Sequence, residues 1–159
     1  MKKTLFVLFL AVISIVNANA QLPKVYDENI DPMTQIDNAL KTAKSQDKFV
    51  VCQVGGNWCP WCLRFADFIK KDADISKVID DNFVYIHVNY PRQGAAKNLM
   101  DRLNNAGRFG YPVFVVMNTD GSVLHIQDSS FLEEGKGYDQ KKVLRFFNGW
   151  TPKAVKGSK

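Results

Sequence analysis

The sequence predicts an α/β domain in which helices cover both faces of a mixed central β-sheet. Three observations carry that class. Two apolar runs, 49–54 and 83–88, are hydrophobic at nearly every position, as in strands covered on both faces. Segments with apolar residues at helical spacing lie before and between them, so the two strands are joined by a crossover and run parallel. A third run, 112–117, is linked to 122–127 by Asn118-Thr119-Asp120-Gly121, a turn signal that folds the pair into an antiparallel hairpin.

The elements follow in order. After an extended lead-in over 21–33, Ile36, Ala39, Leu40 and Ala43 recur at helical spacing. Asp47-Lys48 turns the chain into the strand 49–54. Gly55-Gly56 permits a tight turn toward a helix over 63–71; a phosphate-binding loop would need a following Lys-Ser or Lys-Thr, which the sequence lacks. Pro60 suits the first turn of this helix, where its missing N–H has no partner to lose. Ile75, Val78 and Ile79 predict a further helical turn before the second strand. A helix over about 95–104 follows and ends near Gly107. Beyond the hairpin, Gly135 and Gly137 mark a loop. Asp139 can cap a last helix whose buried stripe is Val143, Phe146, Phe147 and Trp150. Lys153, Lys156 and Lys159 then read as part of a solvated tail.

Aromatic residues make up 12% of the 159, ample for a hydrophobic core. Met1-Lys2-Lys3 is a short basic start, 5–16 is apolar except for Ser14, and Ala18-Asn19-Ala20 fits the small-x-small pattern of a cleavage site. Residues 1–20 are thus expected to be a signal peptide, leaving 21–159 as one exported domain. The apolar stretch is shorter than the ~20 residues that span a bilayer, so no membrane anchor is expected after cleavage; an uncleaved anchor is the alternative. Lys2 and Lys3 account for two of the +5 formal charges. No basic stripe interleaves with aromatics in the remainder, so nucleic acid is not an expected partner.

The chemistry concentrates in Trp58-Cys59-Pro60-Trp61-Cys62. Two cysteines separated by two residues close a small disulfide ring, and here a strand delivers them to the start of a helix. Unpaired N–H groups and the macrodipole at that end favour a thiolate. Other uses of the spacing are an inert disulfide or half of a metal site. A tetrahedral metal site wants about four ligands. Only Cys52, His87 and His125 remain to supply them, and none is paired at ligand spacing. No cofactor is called for, because the cysteines themselves carry the two electrons. Cys52, the odd cysteine, suits a buried central strand as a small hydrophobe; a third redox thiol or an intermolecular bridge is the alternative.

The order of elements, the W-C-x-x-C after the first central strand and Gly110-Tyr111-Pro112 before the hairpin together resemble the thioredoxin superfamily over most of the chain. The likeness extends to secreted bacterial thioredoxin-like domains such as the C-terminal domain of the thiol reductase DsbD. The resemblance implies a thioredoxin fold and a thiol–disulfide oxidoreductase. In it Cys59 is the nucleophile that forms a mixed disulfide with a protein substrate, and Cys62 resolves that intermediate. Pro112 matches the family's cis-proline, with Tyr111 beside the sulfurs and offering backbone hydrogen bonds to substrate. Trp58 matches the packing tryptophan before the first cysteine. Pro60 and Trp61 tune the couple, and the uncharged Trp61 favours a reductant over a strong oxidant; Trp61 is also a candidate apolar contact for a partner. An exported reductant must be recharged, which implies a membrane thiol-transfer partner.

The chain departs from the family beneath the cysteines. Thioredoxins carry a buried Asp six residues before the first Cys, which takes part in proton transfer. Gln53 stands there, and an amide is no general base. The family's partner lysine falls near Ile86 or His87; His87 is a candidate proton relay. Two readings from other classes use the same residues: a binding module that has lost turnover, and a carrier of a soft ion such as Cu(I) held by Cys59 and Cys62.

Overall fold

A computed structural model describes residues 22–91 and 97–157. Its central sheet has the strand order β2-β1-β3-β4. Strand β1 (Phe49–Gly55) pairs in parallel with β2 (Phe83–Asn89) and antiparallel with β3 (Val113–Met117), which continues antiparallel to β4 (Val123–Asp128). The mixed sheet with helices on both faces is the thioredoxin fold expected from the sequence.

Alternation along the strands sorts side chains between two cores. Phe49 and Val51, with Phe114 and Val116, pack against α2 (Pro60–Lys71), α3 (Ala73–Asn82) and α5 (Gln140–Gly149) through Phe65, Ile69, Ile75, Ile79, Val143, Phe146 and Phe147. Val50, Cys52 and Val54 face the opposite side, against Ile36, Ala39 and Ala43 of α1 (Pro32–Gln46) and Leu99 of α4 (Lys97–Arg102). Every residue of β1 is buried. Gln53 shares the face of Phe49 and Val51, the same side as α2, which begins immediately after Cys59.

Side-chain caps set several helix ends. The Asp31, Asp72 and Asp139 side chains accept from backbone N–H groups at the starts of α1, α3 and α5. Four expectations need correction. Ile75, Val78 and Ile79 belong to a ten-residue helix, Ala73–Asn82, rather than one turn, because Asp72 caps it. The helix around 95–104 is described only over Lys97–Arg102. Asn104 and Asn105 have φ of 51° and 54°, left-handed values that asparagine tolerates, and the chain resumes as a short 3-10 turn, Ala106–Phe109. Gly135 and Gly137 belong to a small hairpin of β5 (Glu133–Glu134) and β6 (Gly137–Tyr138) rather than a plain loop. The C-terminal tail contains α6 (Pro152–Lys156), capped by Thr151, and Lys156 bonds Asp47 at 2.8 Å and lies over the Phe49 ring. The expected signal peptide falls on residues 1–20, outside the described residues. Among the described residues, no helix is long and apolar enough to cross a membrane.

Candidate active site

Cys59 and Cys62 are joined by a disulfide, with their Cα atoms 5.2 Å apart. Local sequence explains the placement. The strand ends at Gly55, the chain turns through Gly56, and Pro60 opens α2, making Cys59 the residue that caps the helix. Its sulfur accepts from the Cys62 N–H at 3.2 Å, one of the free donors of the first turn. Cys59 is 5% exposed and Cys62 fully buried, so Cys59 is the sulfur a substrate meets first. Gly55 is required by space: a Cβ there would run into Cys62 Sγ and come within 2.9 Å of the Tyr26 hydroxyl.

The Tyr111–Pro112 peptide bond is cis. It brings the Tyr111 carbonyl oxygen to 3.7 Å from Cys59 Sγ. Tyr111 stacks on Tyr90 (5.1 Å between centroids) and meets the edge of Trp58 (5.6 Å). Trp58 donates its indole N–H to the Tyr90 carbonyl at 3.0 Å. These three rings form one wall beside the disulfide. Trp61 packs against the same cysteine cluster but turns toward β6: its ring meets the edge of Tyr138, its carbonyl accepts from the Tyr138 hydroxyl at 3.2 Å, and the Arg64 guanidinium sits 4.5 Å from its centroid. Pro60 is exposed and lines a shallow pocket of about 250 Å³ with Leu22, Asn57, Leu63 and Arg64.

Beneath the cysteines Gln53 is fully buried and fully bonded. Its Nε2 donates to the Tyr26 hydroxyl at 2.7 Å and to the Cys62 carbonyl at 3.0 Å, and its Oε1 accepts from the Tyr85 hydroxyl. Burial pushes both tyrosines above their usual pKa. His87 neighbours Gln53 across the β1–β2 ladder, and its ring meets the edges of Tyr26 and Tyr85. Its Nε2 is buried with no hydrogen-bond partner, and burial lowers its pKa to about 4. His87 lines a mostly apolar cavity of about 290 Å³ with Val25, Ala66, Ile69 and Tyr85.

Cys52 lies on the other side of the sheet, among the residues facing α1, with its sulfur 3.9 Å from that of Met117. Burial pushes its thiol up to about 12. Among the described residues no group of three or more His, Cys, Asp or Glu is placed to hold a metal ion.

The structure therefore gathers Trp58, Cys59, Cys62 and Tyr111 in one cluster, with the cis Pro112 next to Tyr111 and Gln53 below. Sequence reasoning missed Tyr26, Asn57, Tyr85 and Arg64. Asn57 clamps the lead-in segment: its Oδ1 accepts from the Val25 and Tyr26 N–H groups, both at 3.1 Å, and its Nδ2 donates to the Tyr26 carbonyl at 2.8 Å. Nothing in the pattern around Tyr26 marks that segment as part of a site. For Asn57 the available signal is its place two residues before Cys59.

Comparison with known proteins fits this geometry. The family described as Thioredox_DsbH (protein of unknown function, DUF255) matches residues 15–148. The chain belongs to that family. A disulphide isomerase from Xylella fastidiosa Temecula1 has a similar structure, with a TM-score of 0.68 and 24% identity, covering 77% of this chain and 93% of that one. A structure described as DsbH oxidoreductase is more distant, with a TM-score of 0.48, 18% identity and coverage of 70% and 80%. No curated protein matches the chain. Membership of Thioredox_DsbH and the Cys59–Cys62 disulfide together assign the chain to thiol–disulfide chemistry.

Proposed function

We propose that this chain is an exported thiol–disulfide oxidoreductase that acts on protein substrates, working as a reductant. The observation that carries the reading is a Cys59–Cys62 disulfide at the start of α2, facing the Tyr111 carbonyl at 3.7 Å. The reduced Cys59 thiolate attacks a substrate disulfide and forms a mixed disulfide; Cys62 then attacks Cys59 and releases the substrate as a dithiol. The oxidised pair is recharged by two electrons from a membrane thiol-transfer protein. Trp58, Pro60, Trp61, Tyr111 and Pro112 provide the surface on which an extended substrate segment lies, with the backbone of Tyr111 as its hydrogen-bonding edge. Residues 1–20 direct export to the periplasm and are removed. The direction rests on Trp61, which places no charge between the cysteines.

The test is the full chain with Cys62→Ala. Proteins held on Cys59 by a disulfide, released by reductant and absent from the double variant Cys59→Ala/Cys62→Ala, are the expected result. An absence of such adducts, with the parent chain also failing to reduce a disulfide-bonded protein, would leave a binding module instead. Stoichiometric Cu(I) retained through purification by the parent but not by the double variant would turn the reading toward a metal carrier. Equilibration with glutathione buffers measures the potential, and a value near those of strong oxidants would reverse the direction.

A further inference from the structure

Tyr26 is a buried polar group beside the cysteines with no part in the exchange reaction described above. It comes from the lead-in segment, is 4% exposed, and packs in one cluster with Cys59, Cys62 and Leu63. Its backbone is held on both sides by the Asn57 side chain, so the ring is fixed relative to the loop that carries the disulfide. Its hydroxyl oxygen accepts a hydrogen bond from Gln53 Nε2 at 2.7 Å. The other Gln53 amide hydrogen goes to the Cys62 carbonyl, and Oε1 is taken by Tyr85. Gln53 thus has no hydrogen left for the sulfur. The Tyr26 hydroxyl still has its own, and among the described residues no acceptor is assigned to it while the disulfide is closed. The space it borders is the one a Gly55 Cβ would fill, and Cys62 Sγ borders the same space.

We propose that the Tyr26 hydroxyl donates a hydrogen bond to Cys62 Sγ as that sulfur becomes a thiolate in the resolving step. The inference rests on the oxidoreductase reading above. In that step the Cys62 S–H loses its proton and its thiolate attacks Cys59 Sγ. The Cys59–Cys62 bond forms, the Cys59–substrate bond breaks, and the departing substrate sulfur takes up a proton. Tyr26 keeps its own proton throughout, and the step needs no further oxidant or reductant. Burial raises the Tyr26 pKa, which keeps the hydroxyl a donor rather than a base. Gln53 acts one step back, turning the hydroxyl oxygen toward itself and leaving the O–H for the sulfur. Where thioredoxins have a carboxylate to take a proton, this chain has a donor that stabilises the anion.

Tyr26→Phe removes the hydroxyl and keeps the ring. The full reduced chain is mixed with an aromatic disulfide that releases a coloured thiolate twice, once when Cys59 attacks and again when Cys62 resolves. The variant is expected to keep the first rate to within about twofold and to slow the second about tenfold, the scale of a hydrogen bond to a charged group. Its second-step pH profile should move about one unit alkaline. Around the pocket, Cys59 at the cap of α2, Arg64 on α2, Tyr85 and His87 on β2 and Tyr138 on β6 titrate or carry charge; all are unchanged in the variant. As a second measurement, the ultraviolet thiolate absorbance of Cys62 should titrate at higher pH in Cys59→Ala/Tyr26→Phe than in Cys59→Ala. An unchanged second step and titration would overturn the proposal, and so would an equal fall in both steps, which marks a general disturbance of the loop. A parent chain that never gives the second release would overturn the oxidoreductase reading itself, and this proposal with it.

Discussion

Gln53 donates to the carbonyl oxygen of Cys62 at 3.0 Å, tying the central strand to the first turn of α2 directly under the disulfide. An Asp at this position would be one methylene shorter and, when ionised, would donate nothing. The Cys62 carbonyl and the Tyr26 hydroxyl would each lose a donor in a buried site. Gln53→Asp is therefore expected to destabilise the fold by about 2–4 kcal/mol, read from denaturant midpoints. In the fraction that folds, the carboxylate supplies the proton acceptor that an amide cannot, and resolution of a Cys59 mixed disulfide should speed up. Unchanged resolution in a folded Gln53→Asp chain would show that proton transfer to position 53 does not limit the step.

Much of the fold was legible because its strands carry unambiguous patterns. Runs 49–54 and 83–88 are apolar at all but one position each, Gln53 and His87, and the Asn118-Thr119-Asp120-Gly121 turn leaves one pairing for the hairpin. Elements decided by a single capping residue were harder to read. Asp72 extends α3, Asn104 and Asn105 interrupt the segment after α4, and Thr151 starts α6. At the site, the cysteines were visible from spacing and Gln53 from its offset to Cys59. Tyr26 and Tyr85 were not, since their roles come from long-range hydrogen bonds with sequence separations of 27 and 32 residues. Arg64 carries no signal for a similar reason: its guanidinium lies over the Trp61 ring, and only the helix geometry brings the two together.

Cys52 is set apart from the redox pair by the sheet itself. It faces α1, is fully buried, and has its thiol held up at about 12 by burial. With the Cys59–Cys62 disulfide closed, the native chain should show no thiol that reacts quickly with an alkylating reagent, and one thiol after unfolding. Cys52→Ala should leave disulfide exchange within about twofold and cost roughly 1 kcal/mol through the small cavity beside Met117. Rapid labelling of native Cys52 in a peptide map would defeat this assignment.

Asn57 acts as a clamp rather than a contact surface. Its side chain makes three bonds to the backbone of Val25 and Tyr26 and a fourth to Glu28 at 3.0 Å. Asn57→Ala leaves those groups to water, at an expected cost of about 1–3 kcal/mol. The loss should be local. Amide exchange at Val25 and Tyr26 should accelerate far more than at Val50 to Val54 of β1, because the lead-in opens without the sheet. Since the same bonds fix Tyr26 under Cys62, resolution should also slow. Equal protection of the lead-in amides in both chains would mean that packing of Tyr26 holds the segment and the clamp is incidental.

His87 gives the fold a pH dependence of definite sign. Burial lowers its pKa from 6.5 to about 4, and its Nε2 has no partner to receive a second proton. The folded state therefore prefers the neutral ring. Above about pH 6.5 the ring is neutral in both folded and unfolded chains, and the stability it contributes is complete. As pH falls from there toward 4, the unfolded chain takes up a proton that the folded chain refuses, and stability declines. The loss approaches roughly 2–3 kcal/mol, reduced from the full shift because the ring is partly exposed. Unfolding free energies measured between pH 7 and 4 should fall more steeply in the parent than in His87→Phe, which fills the same space beside Tyr26 and Tyr85 without titrating. Parallel curves for the two chains would show that His87 is solvated in solution and carries no such linkage.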